Sequence, residues 1–430
     1  MPTFTRRLTA FLAAGALATA IACTHTARAD FFYHDGDKPV LFLGDSITEP
    51  GMYTCLIESY VLTRYPKWDI DFRNVGWSGD TANLRMRDGY PNGMKRDILP
   101  LLPKAITIDF GMNDARGGDA NLPTYIQYET KLVEDLKAAG CRVALLSPSP
   151  EERYEPRQPG GSAYNNELWK YSQALQDVAA KENVLYVDQY TPFVKAIADG
   201  RKAGILAPEI PGPRLTNEGV HPNWAGHLVM AASVLKGLGA TAPVSNVEID
   251  AAAHKITTAE GAQVALADAA ADGSLSFTRT DAALPWSLPP EVSLALSIPG
   301  FDPVGDLSQY TLKVTGLLAP AYDLQIDGKK VATFTSDALA KGVNLTQTAG
   351  PITHQSLAVF QAARAHNDLW MHRWRQVQLY APPDWLKTVD IEAARAAELA
   401  RLDAQLLDQE KQLDALRQPK PHVFKLVPAK

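Results

Sequence analysis

Between Pro39 and about Leu238 the chain alternates short apolar runs with longer amphipathic stretches, the pattern of repeated β-α units around a parallel sheet. Five runs predict strands: Val40–Gly44, Ile70–Val75, Ala105–Phe110, Arg142–Ser147 and Val184–Val187. They are rich in β-branched or aromatic residues, as strands covered on both faces must be. Helical spacing predicts helices over Thr54–Tyr65, Thr81–Arg87, Thr124–Ala139, Asn165–Lys181, Phe193–Lys202 and Trp224–Leu238, with Gly140 suited to end the third. Right-handed crossovers then give a three-layer α/β/α domain with a parallel sheet. Ligands bind outside the carboxyl ends of such strands, which singles out the loops after Leu43, Val75, Phe110 and Ser147.

Beyond Gly239 the texture changes to shorter alternating segments, Thr311–Val314, Tyr322–Ile326 and Val331–Phe334, with Asp327-Gly328 as a hairpin turn. Helical spacing returns over Gln355–Gln378 and Ile391–Gln418. In the second of these Leu399, Leu402, Leu406, Leu413 and Leu416 fall at heptad-like spacing, interrupted at Gln409. So short a repeat favours a helix packed on its own domain over a coiled-coil partner. The expected organisation is therefore an α/β domain over 30–240, a small β module over 241–352 and a helical region over 353–430. No internal repeat is evident.

Composition supports this division. At 430 residues the chain exceeds what one core usually organises, and 46% hydrophobic with 21% charged residues is ordinary for a globular protein. The first stretch changes the picture more. Arg6-Arg7, an apolar run from Leu8 to Cys23 and the small-residue site Ala27-Arg28-Ala29 predict a signal peptide over 1–29, and hence export to the periplasm or the extracellular space. The run is too short for a membrane span, so none is expected in the mature chain. Ala20-Ile21-Ala22-Cys23 also resembles a lipoprotein signal that would anchor Cys23, and the arginine pair a twin-arginine signal. Cleavage would remove three arginines and no acid, taking the formal charge from −6 by three to −9. Such a surface does not attract a nucleic acid. Cys55 and Cys141 would remain, expected as buried thiols rather than a bridge.

Four segments carry candidate chemistry. Gly44-Asp45-Ser46-Ile47-Thr48 follows the first strand. There a serine hydroxyl can face the cleft and its N–H can point at a bound oxygen. Asn74-Val75-Gly76-Trp77-Ser78-Gly79-Asp80-Thr81 follows the second, and Gly79 lets the backbone approach a ligand closely. Gly111-Met112-Asn113-Asp114 follows the third, offering an amide donor where charge develops on a carbonyl oxygen. Thr216-Asn217-Glu218-Gly219-Val220-His221-Pro222 precedes the last helix of the domain. A carboxylate three residues before a histidine can orient the ring through one nitrogen and leave the other free as a base. Taken singly, each segment also reads as a turn or helix cap. His227, His254, His354, His366, His372 and His422 read as structural.

Together, and in this order, the segments resemble the four blocks of the SGNH hydrolase superfamily, also called GDSL esterases and lipases. The resemblance covers roughly residues 39–238. It implies a flavodoxin-like α/β/α sandwich and a serine esterase acting through an acyl-enzyme. Ser46 would be the nucleophile, His221 the general base, and the Ser46 N–H, Gly79 and Asn113 the oxyanion hole. The family usually places aspartate three residues before the histidine, whereas this chain has Glu218. Both a triad completed by Glu218 and a Ser-His dyad aided by a backbone carbonyl stay open.

Rival chemistries lack their signatures. There is no Gly-x-Ser-x-Gly elbow, and Gly76-Trp77-Ser78-Gly79 only approximates one, leaving Ser78 as second-choice nucleophile. No His-Glu-x-x-His, paired Cys-x-x-Cys or phosphate loop occurs, so no metal or nucleotide cofactor is implied. The loop Glu151 to Ala163 is polar, with Arg153, Tyr154 and Arg157, which favours a short acyl group. Export, an acidic surface and an appended β module with Trp286 suit an esterase removing acetyl groups from a carbohydrate, by analogy with secreted relatives. A lipase or lysophospholipase for longer chains is the enzymatic alternative, and an inactive SGNH-fold binding module the alternative of another class. The oligomeric state is left open.

Overall fold

Strand β1 (Val40–Gly44) is buried along its whole length and lies inside a five-stranded parallel sheet, second from its edge. With β2 (Phe72–Asn74), β3 (Ala105–Asp109), β4 (Arg142–Leu146) and β5 (Leu185–Val187), the order is β2-β1-β3-β4-β5. This is the flavodoxin-like order, whose switch point lies between β1 and β3. The computed structural model describes residues 30–152, 163–208, 211–267, 272–386 and 390–429; the expected signal peptide lies outside them.

Helices α1 (Met52–Arg64), α2 (Leu122–Ala138), α3 (Ala163–Glu182), α4 (Tyr190–Lys202) and α5 (Trp224–Gly237) flank this sheet, with α1 packed against α5 and α2 against α3. The expected three-layer α/β/α sandwich is therefore present. Helix α5 starts where the Asn223 side chain accepts from the N–H groups of Ala225 and Gly226, an ordinary N-cap.

The expected helix over Thr81–Arg87 does not form. Only a single turn, Arg85–Arg87, is present, between left-handed Leu84 and Asp88. The backbone donors there go to buried carboxylates instead of to an i−4 ladder. Asp80 takes the N–H groups of Thr81 (3.0 Å) and Met86 (3.1 Å), and Asp114 that of Ala82 (3.2 Å). Side chains able to bond nearby backbone compete with helix formation in this way.

After Gly239 two further sheets follow. One holds β6 (Pro243–Asp250), β7 (Lys255–Glu260), β10 (Gln309–Thr315) and β13 (Val343–Asn344) in the order β13-β10-β6-β7. The other is β12-β11-β14-β9-β8, built from β8 (Ala262–Leu266), β9 (Leu275–Asp281), β11 (Ala321–Ile326), β12 (Lys329–Thr335) and β14 (His422–Pro428). Strands β11 and β12 pair in antiparallel fashion around Asp327-Gly328. The expected helical region over 353–430 also contains an unexpected strand: β14 lies between β11 and β9, with His422, Phe424 and Leu426 buried in alternation. Trp286 is likewise no exposed platform for a sugar. It is 1% exposed, and its indole N–H donates to Leu56 O (3.0 Å) in the core.

Helix α6 (Pro351–Met371) packs on α1 and β2, and α7 (Glu392–Leu416) packs on α6. Leu402, Leu406 and Leu413 are buried there, so the leucine stripe faces its own chain. Residues Phe31–Lys430 make one compact unit. Cys55 and Cys141 are free and buried. No described helix is long and apolar enough to cross a membrane.

Candidate active site

Ser46 begins the turn that follows β1, and His221 ends a tight loop before α5. The Ser46 Oγ lies 2.9 Å from His221 Nε2, although 175 residues separate them. His221 Nδ1 hydrogen-bonds Glu218 Oε1, and the same oxygen accepts the His221 backbone N–H at 3.1 Å. The longer glutamate therefore spans the gap an aspartate usually fills, by folding back within one turn. Burial tends to raise the Glu218 pKa, but its hydrogen bonds from the His221 ring and backbone and the charge of the ring outweigh it and hold the carboxyl below its ordinary range. Both side chains stay about half exposed, 45% for His221 and 48% for Glu218.

The loop carrying this pair is held from beneath. Glu152, fully buried, accepts from the N–H groups of Leu215 (3.0 Å) and Thr216 (2.8 Å) and from the Thr216 hydroxyl (2.8 Å). Its own N–H donates to Gly219 O at 2.7 Å, and Asn217 N–H to His221 O at 2.8 Å. Nothing in the sequence marked Glu152 as the anchor of a loop more than 60 residues away.

The three expected donors gather around the same place. Asn113 Nδ2 donates to Asp45 Oδ2 (3.1 Å) and Asp80 O (3.0 Å), which joins the loops after β1, β2 and β3. Gly79 has φ of 79°, a conformation that suits glycine. Among the described residues, neither the Ser46 N–H nor the Gly79 N–H has a hydrogen-bond acceptor. Gly76 lets the second loop pass close to the first, since a Cβ there would meet Glu49 N at 2.4 Å. Burial, then the charges of Asp114 and Asp80, push the Asp45 carboxyl up to about 7 against its bonds from Ile47 N–H and Asn113.

The carboxyl-terminal helices brace the second loop. Arg87 is fully buried, paired with Asp80 at 2.7 Å, and lies over Trp77 and Trp374 at 5.1 and 5.5 Å. Arg375 also lies over Trp77, 3.1 Å from its ring centroid. Trp370 donates to Asn74 O (2.7 Å), and Asn74 in turn donates to Thr48 O (2.7 Å). Trp370 and Asn74 are 296 residues apart, and Trp374 and Arg375 are about as far from Arg87 and Trp77, so neither propensity nor motif spacing reveals these contacts.

Ser78 is exposed, with its N–H on Glu49 Oε2 at 2.9 Å, and among the described residues no histidine bonds its hydroxyl. His227 is buried against Tyr53, and burial, then the neighbouring His221, pull its pKa down to about 3. The loop with Arg153, Tyr154 and Arg157 lies outside the described residues. One group of potential metal ligands occurs among them, Asp71, His366 and Glu410, with ligand atoms within 4.8 Å. Arg73 already fills that cluster, at 2.5 Å from Asp71 and 2.8 Å from Glu410. The carboxylates therefore have a cation of their own.

Residues 42–229 match the family model of the GDSL-like lipase/acylhydrolase family. An acetylxylan esterase of Geobacillus stearothermophilus is 25% identical over 230 residues, 47% of this chain and 94% of that protein. The solved structure of a gut microbial diltiazem-metabolizing enzyme aligns with a TM-score of 0.77 at 22% identity, over 92% of this chain and 98% of that one. The fold is thus shared well beyond the α/β part. A catalytic mutant of the Geobacillus stearothermophilus acetylxylan esterase aligns over 48% of this chain and 96% of its own, with 23% identity and a TM-score of 0.40. The family match, on a fold whose β1, β2 and β3 loops carry the expected segments, gives residues 42–229 of this carboxylic ester hydrolase as a GDSL-like lipase/acylhydrolase domain.

Proposed function

We propose that the protein removes short acyl groups, acetyl above all, from a carbohydrate through an acyl-enzyme on Ser46. The observation that carries this is the hydrogen-bonded string from Ser46 Oγ through His221 to Glu218. His221 Nε2 takes the Ser46 proton as Oγ adds to the ester carbonyl. The tetrahedral oxyanion is stabilised by the free N–H groups of Ser46 and Gly79, with Asn113 sharing one of its amide hydrogens. Collapse breaks the bond to the alcohol oxygen, which leaves with the proton from His221. Water, deprotonated by the same nitrogen, then cleaves the acyl-enzyme and restores Ser46. Glu218 holds the ring in the tautomer that leaves Nε2 free and stabilises the imidazolium.

The acetyl and carbohydrate assignments are supported by the acetylxylan esterase relative and by a cavity beside Asn113 lined largely by polar side chains. Export through the first 29 residues would bring the enzyme to such a substrate. A panel of p-nitrophenyl esters of increasing chain length tests the reading. Activity should peak at the acetyl ester and show a burst with this good leaving group. A maximum at long chains would replace the acetylesterase by a lipase-like enzyme, and a folded protein inert on every ester would leave a binding module.

A further inference from the structure

A cavity of about 490 Å³ opens beside Asn113, within the size range of small-molecule sites. Its wall includes Arg85 and Arg116, with Asn83, Asn121 and Thr124 between them. The two arginines stand out in this acidic chain of net charge −6. Arg73, Arg87, Arg96 and Arg279 each sit on a carboxylate. Among the described residues, Arg85 and Arg116 do not. Arg85 uses its Nε to hold Gly79 O at 2.7 Å, which leaves its terminal nitrogens unbonded and fixes the guanidinium beside the second loop. Arg116 lies over the Tyr164 ring at 5.8 Å, a contact that leaves its donors open.

The acid on the same wall does not neutralise them. Asp114 directs its carboxylate at backbone, accepting from Ala82 N–H (3.2 Å) and Gly111 N–H (3.2 Å). Asp119, on the neighbouring turn, is paired with Lys170 at 2.8 Å. The cavity thus presents two planar forks of donors to whatever fills it. A guanidinium fork matches a carboxylate in a bidentate manner. Amide and hydroxyl groups from Asn83, Asn121 and Thr124 add the mixed donors and acceptors that sugar hydroxyls need.

We infer that this cavity binds the carboxylate of an acidic sugar through Arg116 and Arg85, so that the preferred ester is one borne by a uronic-acid-containing glycan. The inference rests on the reading above, in which Asn113 flanks the reacting carbonyl. A cavity that shares Asn113 as its wall places a neighbouring part of the same substrate. Against a surface of overall negative charge, two local cations also select the acidic substrate where it must bind.

The test compares two esters, a mono-O-acetylated methyl glucuronoside and the matching acetylated methyl glucoside, identical except for carboxylate in place of hydroxymethyl. The ratio of their kcat/KM values is read, so any common loss of rate cancels. The acidic ester should be favoured by on the order of 10- to 100-fold, the worth of a charged hydrogen-bonded pair. Arg116→Gln and Arg85→Gln should each bring the ratio towards unity, Arg116→Lys should restore part of it, and added salt should lower it. Equal use of both esters, preference for the neutral one, or a ratio unmoved by both glutamine variants would overturn the inference while leaving the esterase intact. A second measurement needs no turnover: calorimetric titration of Ser46→Ala protein with methyl glucuronoside and methyl glucoside. Tighter binding of the acid, lost in the Ser46→Ala, Arg116→Gln double variant, supports the cavity even if no ester, p-nitrophenyl acetate included, is hydrolysed. Equal affinity for the two sugars counts against it whatever the ester panel gives.

Discussion

His221 and His366 each stand beside a glutamate, and the two settings differ in everything else. His221 is about half exposed, with Glu218 on Nδ1 and a neutral serine hydroxyl 2.9 Å from Nε2. His366 is 2% exposed, with Glu410 at 3.7 Å and the Arg73 guanidinium at 3.1 Å from Nε2. In the first, Nε2 meets a neutral hydroxyl whose proton can move, on a ring that solvent reaches. In the second, the same nitrogen meets a permanent cation that cannot give up a proton usefully. Arg73 also lies over Trp370 at 4.9 Å and pairs with Asp71, so this cluster clamps the carboxyl-terminal helices to β2. A histidine and a carboxylate do not by themselves make a reactive site; the third partner and access decide.

The difference is broken most severely at Ser46. Ser46→Ala should lower kcat on p-nitrophenyl acetate by roughly 10⁵-fold or more, with the unfolding temperature unchanged. Glu218→Gln should cost roughly 10²- to 10⁴-fold in kcat, because the amide can neither stabilise the imidazolium nor enforce the tautomer. A rate near wild type would make the site a dyad. Removing the Asn113 amide in Asn113→Ala should cost on the order of 10²- to 10³-fold in kcat with KM little moved.

At the other cluster the expectation reverses. The neighbouring His366 ring and Arg73 pull the Glu410 carboxyl down from its ordinary 4.5 to about 2, against the opposing effect of burial. A depressed carboxylate stabilises the fold above its unfolded pKa and loses that contribution as pH falls through its folded value. Glu410→Gln should therefore lower stability at pH 7 by about 2 kcal/mol, discounted for the quarter of the side chain left exposed. The gap from wild type should close between about pH 4.5 and pH 2, and kcat at neutral pH should stay within about twofold. Parallel denaturant titrations across that range would read it.

Much of the α/β part was legible because its signals are local. The run Val40–Gly44 is apolar and short, the site segments fall directly on strand ends, and the Glu218–His221 spacing lies within a single turn. What stayed hidden depends on partners far along the chain. Thr81–Arg87 has helical spacing, yet Asp80 and Asp114 capture its backbone donors. The alternation of His422, Phe424 and Leu426 is visible in hindsight, but its neighbours β9 and β11 lie over 90 residues away. Trp286, Trp374 and Glu152 were invisible for the same reason: their roles are set by what they pack against.

The most direct test of the reactive string is covalent labelling of the folded protein with a fluorophosphonate, followed by mapping of the modified residue. Labelling should fall on Ser46, disappear in Ser46→Ala and persist in Ser78→Ala. A label on Ser78, or none on a protein that is demonstrably folded, would contradict the role assigned to the Ser46–His221–Glu218 string.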